Sequence, residues 1–579
     1  MRRCLKVLGA LVAVGLFLGG LILLIAFPLG IFPALIRQRL ELAPKTDGKY
    51  STITSYWQKL PDENHFDFYL FNVTNQDEVE FLGAKPSVIE YGPYSYKETE
   101  YKDGIEWLND NNEVFFKNEK RYIWDPSRSC AKCSYYDEFV LSNSIYMAAS
   151  KTGKQYPMTS LKKLMMDLSL IMMGEYPYRK VSMRGVLFEG YEDPMVSLMH
   201  SKFFQIDIPK HFNTTLEKLM GMPIPNIQYA GYFAHYNNTN DETYITKTGK
   251  TSSDEINRIV KWANSSKLQW WDSDYANQLA GLTDGSFNKP FPTKTDTIHI
   301  FRSFSCRTFP LVFQEEAKIK GIDGYVFKIS DDAYNTQLTI NKGYVFKNNT
   351  KNYFPDWPCR GKFSHPPSNV SDCASVNCKM PEYYCNGCCH GSLIGGQILL
   401  PPGMVSLKCL PGKNQTMPIP AFISPPHFAD SPPEVYESIL GLKPDPLKHS
   451  SGTFTLQPLT GNAIGVKFRL QVSIAVYQDD DLTSLNHMRS AIVPAVWVEV
   501  SADPAEYAIN YLYTYTVIIP KAILGIGICF TAIPLIIATV YTIMRIRSRR
   551  KAKRTVSFES FSKPVSRTMD DLERFTPII

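Results

Sequence analysis

The chain has 579 residues, 44% of them hydrophobic and 20% charged, which excludes a disordered or fibrous polymer and provides for a sizeable core. Its formal net charge of +6 sits at the ends: residues 1–6 hold three basic groups, 545–579 hold ten against four acidic ones, and 7–544 is left at −3. Basicity placed this way favours anionic lipid headgroups beside a membrane and gives no reason to expect nucleic acid as a partner.

Residues 7–31, VLGALVAVGLFLGGLILLIAFPLGI, carry no charge. A helix crosses the bilayer core with about 20 apolar residues, whereas the apolar part of a secretory signal has only about 7–15 and ends at small residues. Phe27, Pro28 and Leu29 stand where small residues would be needed. The run reads as transmembrane helix 1, uncleaved, with 1–6 as a cytosolic tail. Gly15 and Gly19 are spaced for helix association, which allows a homo-oligomer.

Residues 32–516 follow as the extracellular or lumenal ectodomain, without a linker-like division. FDFYLFNVTN (66–75) is aromatic and β-branched and predicts a strand. Short strand pieces at Val88-Ile89 and Tyr94–Tyr96 and segments within 105–122 predict a β-meander. The character then changes. Residues 135–150 are helix-compatible, and in 159–173 Leu161, Leu164, Met165, Leu168, Ile171 and Met172 recur at helical spacing. This methionine-rich stripe reads either as ordinary helix-bundle core or as a surface that adapts to apolar partners. Strands resume from Tyr229, and 466–476 (VKFRLQVSIAV) alternates as a long strand with one wet face should.

Ten of the twelve cysteines fall in this ectodomain, six of them in a cysteine-rich insertion at 353–389. An even number in an oxidising compartment reads as disulfides. Cys4, beside the first span, is either a palmitoylation site or a plain thiol. Seven glycosylation sequons, at Asn72, Asn213, Asn237, Asn264, Asn348, Asn369 and Asn414, point to the same side of the membrane. A second uncharged run, 522–544, sets transmembrane helix 2 over 517–544. The basic cluster from Arg545 to Arg554 then fixes 545–579 in the cytosol.

No metalloprotease, nucleophile-elbow, phosphate-loop or dinucleotide pattern occurs. The C-x-x-C pairs Cys130/Cys133 and Cys385/Cys388 suit structural bridges better than zinc or redox work, because no paired histidine or cysteine context supports a metal. His427 reads as structural. Neither an enzyme, a cofactor nor a metal is expected.

The ordered set FDFYLFNVTN (66–75), GAKPSVIEYGPYSY (83–96), YEDP (191–194), TDGSF (283–287), PAFISPPHF (420–428), PLTG (458–461) and RLQV (469–472), between two terminal spans, resembles the class B scavenger receptor family. The resemblance covers almost the whole chain. It implies an α+β fold: a large antiparallel β-barrel-like ectodomain with an apical helical bundle at 135–220 and an internal hydrophobic tunnel. It also implies a disulfide between Cys306 and Cys409. A cysteine that the family often has just before TDGSF is missing, where Tyr275-Ala276-Asn277 stand, so other pairings do not transfer. By the same resemblance the chain binds lipids, lipoproteins or other anionic ligands at its apex, through groups such as Lys151, Lys154, Lys162 and Lys163, and passes lipid along the tunnel. A plasma-membrane location follows, with the lysosomal or endosomal membrane as the alternative. The latter would make it a sorting receptor for a protein partner, with Glu573, Ile578 and Ile579 as an acidic, branched-apolar sorting signal. A two-span ligand-gated channel shares the topology, but neither span carries an intramembrane acid or base to line a pore.

Overall fold

The computed structural model describes residues 2–155, 159–199, 228–234, 236–336, 338–348, 398–417 and 419–561. It divides into two compact units. The first holds the terminal apolar helices, each long and apolar enough to cross a membrane. Helix α1 (Arg2–Leu21) continues through a wide-turn stretch, Ile22–Ile31, into α2 (Phe32–Arg39). Pro28 lies in that stretch, where a widened turn absorbs the missing N–H and the bulk of the ring. At the other end, a long helix runs over Ile519–Phe561, so the basic cluster continues the span as helix. The two helices touch at small residues: a Cβ on Gly20 would meet Thr531 and the Gly527 carbonyl. Gly15 and Gly19 meet nothing within 4 Å and play no part in this seam.

The second unit spans Ile36–Leu512 and holds two short helices near its start, α3 (Thr52–Gln58) and α4 (Gln76–Leu82). Its centre is a 13-stranded sheet. The main strands, in chain order, are β1 (Asp62–Val73), β2 (Val88–Leu108) and β3 (Glu113–Trp124). A separate pair, β4 (Glu138–Ser142) and β5 (Tyr178–Ser182), precedes β6 (Thr239–Lys247) and β7 (Ile259–Trp262). Next come β8 (Ile298–Arg302), β9 (Arg307–Ile319) and β10 (Ile322–Ile329). The small pair β11 (Lys347–Asn348) and β12 (Ile398–Leu399) stands apart. The short β13 (Val405–Ser406) and β14 (Ala421–Ser424) lead to β15 (Gly452–Leu456), β16 (Ala463–Val476) and β17 (Ala491–Pro504). The order is β7-β6-β3-β2-β1-β17-β16-β15-β10-β9-β8, with β14 joined to β16. The ladder is open. Yet its two edge strands bond to consecutive residues of one segment: Ile259 N–H donates to Leu282 O (2.7 Å), and Phe301 N–H donates to Thr283 O (2.8 Å). The TDGSF segment therefore sits between the edges.

Three local readings change. Val88–Leu108 is one strand, because Gly92, at φ +154°, lets the chain run on into Pro93. Residues 229–234 form bends and turns around an isolated bridge from Ala230 to Tyr191 instead of a strand. In β16 the alternation of buried and open positions stops at Leu470, beyond which every residue to Val476 is buried. That half pairs with β14 as well as β17, and a loop carrying His427 covers it, donating from its backbone N–H to Gln471 Oε1 (2.7 Å).

The buried face is also not uniformly apolar. Asn64 on β1, Glu98 and Lys102 on β2 and Asn118 on β3 are all buried there. Lys120 ties this strip together through Glu98 (3.3 Å) and Glu100 (2.8 Å).

Candidate ligand-binding site

Helix α5 (Ser144–Gln155) and helix α6 (Ser160–Met172), with the shorter helical turns Gly185–Glu189 and Pro194–Met199, form the described part of the helical region. α6 begins at Thr159, whose hydroxyl accepts from Lys162 N–H, and ends at Gly174, φ +68°, where Glu175 N–H reaches back to Leu170 O. Its orientation is set by a charge. Asp167 is buried and accepts from the Thr483 backbone N–H (2.9 Å) and hydroxyl (2.6 Å). The face carrying Asp167 and Leu170 therefore docks inward. The helical stripe points out: Leu161, Leu164, Met165, Leu168 and Met172 are all at least half exposed, Met172 at 87%. The stripe is therefore exposed and does not pack as core. Across the same 483–487 segment, the helix Gln76–Leu82 ends in exposed Phe81 and Leu82, and its following Gly83 lies against the His487 carbonyl. Exposed apolar side chains thus stand on two helices that each meet this loop.

The four lysines are not equivalent. Lys162 and Lys163 flank the stripe, Lys163 in an exposed ion pair with Asp481 (2.7 Å). Lys151 is half-buried, and burial, with Lys408 adding repulsion, pulls its ammonium below the ordinary range. Of Lys154 only the helical backbone is described. Among the sequon asparagines, Asn264 is exposed, whereas Asn237 holds Tyr122 with both amide atoms (2.8 and 3.1 Å). Asn72 accepts from Val140 N–H and Asn414 from Gln269. Asn348 is described only by its strand backbone. Asn213, Asn369, the 353–389 insertion, and Glu573, Ile578 and Ile579 lie outside the described residues. Cys306 bonds Cys409 and Cys130 bonds Cys133.

A second cluster was not legible in the sequence. Ligand atoms of Glu90, His427 and His449 lie within 4.8 Å of one another, a separation a metal ion could bridge. The donor chemistry opposes it. His427 Nδ1 accepts from Lys443 N–H (3.2 Å), and His449 Nδ1 accepts from Asp445 N–H (2.9 Å). Each neutral ring therefore carries its proton on Nε2, whereas a ring bound to metal through Nε2 donates from Nδ1. His427 Nε2–H donates to the Glu90 carboxylate (2.5 Å), which also accepts from Trp497 Nε1 (2.8 Å). Burial alone would raise the Glu90 carboxyl; these hydrogen bonds, with Lys448 nearby, outweigh it and hold the group at about 2. The cluster clamps the 441–449 loop to the sheet.

The model of the CD36 family matches residues 8–545, which is most of the chain. The chain belongs to the CD36 family. It is 31% identical over 547 residues to the uncharacterized protein R07B1.3 of Caenorhabditis elegans, covering 94% of this chain and 97% of that one. It is 24% identical to scavenger receptor class B member 1 of Bos taurus, covering 97% and 94%. It is 23% identical to lysosome membrane protein 2 of Rattus norvegicus, covering 82% and 83%. These relatives make this CD36-family chain a disulfide-bonded membrane protein of a receptor family with two terminal apolar helices.

Proposed function

We propose that the chain is a two-span glycoprotein receptor, tails in the cytosol, that binds lipids or lipoproteins on the outer face of α6 and conducts lipid through the interior of its sheet to the membrane. The observation that carries this reading is the outward stripe from Leu161 to Met172, held out by the inward anchor Asp167. Water contact with such a surface is unfavourable by roughly 25 cal/mol per Å², which an apolar ligand recovers on docking. Lys162 and Lys163 beside it suit anionic ligands. The shared 281–283 segment between the sheet edges supports a barrel-like enclosure, and no bond in the lipid is made or broken on this path.

The test is binding of lipoprotein particles to cells displaying the full chain. Replacing Leu164 and Met165 with Gln should lower binding at least tenfold at unchanged surface level, and reversing Lys162 and Lys163 to Glu should lower it further. Undiminished binding in both would remove α6 from the site. Binding of a soluble protein that excludes lipid particles would favour the sorting-receptor reading, which the relationship to lysosome membrane protein 2 supports.

A further inference from the structure

Lys102 and Asn118 are directly opposite each other in the β2–β3 ladder, both on the buried side of the sheet. Lys102 is 2% exposed, and its ammonium lies 5.3 Å from the Trp57 ring centre and 5.5 Å from that of Phe116. Among the described residues, no acceptor bonds it. Asn118 donates from Nδ2 to Glu100 (2.8 Å), which leaves its buried Oδ1 without a donor. Asn64, one strand over, repeats the pattern: Nδ2 donates to Glu98 (3.1 Å), and the buried Oδ1 is unpaired. Open polar groups at such depth cost stability unless something pairs with them. Here an open donor and an open acceptor stand on neighbouring strands.

The charges around them restrict what that something is. Glu98 and Glu100 are balanced by Lys120, which touches both, and by Lys102, which together with Lys120 holds the Glu100 carboxyl down to about 2 against the effect of its burial. A carboxylate or phosphate would add negative charge to a buried strip in which Asp62 and Asp241 already stand close to Glu100, and a quaternary ammonium has no proton for Asn118 Oδ1 to accept. A bare hydrocarbon or an ester lacks the proton that Asn118 Oδ1 requires. A hydroxyl supplies both halves, accepting from Lys102 Nζ while donating to Asn118 Oδ1. The edge-to-face pair Trp57 and Phe116 provides apolar surface beside it.

We propose that Lys102, Asn118 and Asn64 form a headgroup site for a neutral lipid with a free hydroxyl, selecting it over the corresponding acid and ester. This rests on the lipid-conducting reading above.

The test uses the full chain in nanodiscs and three radiolabelled probes that share one hydrocarbon chain: oleyl alcohol, oleate and oleyl acetate. The wild type should hold the alcohol about tenfold or more tighter than the other two. Lys102→Met and Asn118→Leu should each bring the preference to within about twofold without weakening acetate binding, and Lys102→Arg should keep it. Thermal melting checks that each variant folds, and Asn118→Leu carries the test alone should Lys102→Met unfold. Equal binding of alcohol and acetate by the wild type, or a preference that survives both substitutions, overturns the site. Binding of none of the three overturns the lipid-conducting reading along with it.

Discussion

The imidazoles of His427 and His449 lie face to face, ring centres 4.0 Å apart and planes 11° from parallel. Both rings are buried, and both spend Nδ1 on a backbone N–H of one loop. A proton added at either Nδ1 sets N–H against N–H and undoes the clamp. Facing this pair are Glu90 from β2, Trp497 from β17, and Lys448 and Asp445 from the loop itself.

Acid should therefore loosen the 441–449 loop. Burial, with Lys448 adding repulsion, pushes His449 down to about 4 from its ordinary 6.5. The folded form favours the neutral ring, so the stability it contributes is complete above pH 6.5 and is lost as the pH falls toward 4. Amide exchange at Lys443 and Asp445 should accelerate over that window. A His449→Asn variant, lacking the titration, should show a flatter profile; identical profiles would remove His449 as the cause.

Glu80 should act in the opposite direction. It is a buried residue of the helix Gln76–Leu82 with Oε1 unpartnered, and burial pushes its carboxyl up to about 7 despite a backbone hydrogen bond at Tyr178. Its contribution is present below pH 4.5 and is lost as the pH rises through 7. Glu80→Gln should raise the melting temperature at pH 8 and leave it nearly unchanged at pH 5. A gain of the same size at both values would contradict this.

The inward anchor of α6 sets a third expectation. Asp167→Ala leaves Thr483 with two lost bonds to a charged acceptor, a cost of about 1.5–3 kcal/mol. Leu164→Gln, on the exposed side, should stay within about 0.5 kcal/mol. Chemical denaturation of both variants checks the contrast, and equal costs would mean that the stripe is packed.

The two disulfides should differ by the loops they close. Cys306–Cys409 spans 103 positions and Cys130–Cys133 only 3. Chain entropy gives about 5 kcal/mol for the first and about 2 kcal/mol for the second. Alanine pairs at each site, melted side by side, should keep that order.

Both apolar helices, the strand at 66–75 and the helix at 160–172 were legible because charge-free length, β-branching and 3.6-residue periodicity are local properties. Periodicity marks a face without saying which way it looks. Leu164 and Met165 point out because Asp167 meets Thr483, more than 300 positions away, and no local pattern carries that contact. Glu90 and His427 are as remote, brought together by the β1–β2 register and by Gly441, whose φ of +98° and close approach to the Val88 carbonyl exclude a side chain. The Lys102 strip was visible only as alternating charge in KETEYKD until the register showed that the Glu98, Glu100 and Lys102 face was the buried one.

The most direct measurement of the central claim is lipid transfer by the intact receptor. Cells displaying the full chain would be given lipoprotein particles labelled separately in lipid and protein. The account predicts that cell-associated lipid exceeds particle protein several-fold, and that replacing Leu164 and Met165 with Gln abolishes the excess. Lipid and protein entering in equal proportion, with or without the α6 stripe, would contradict it.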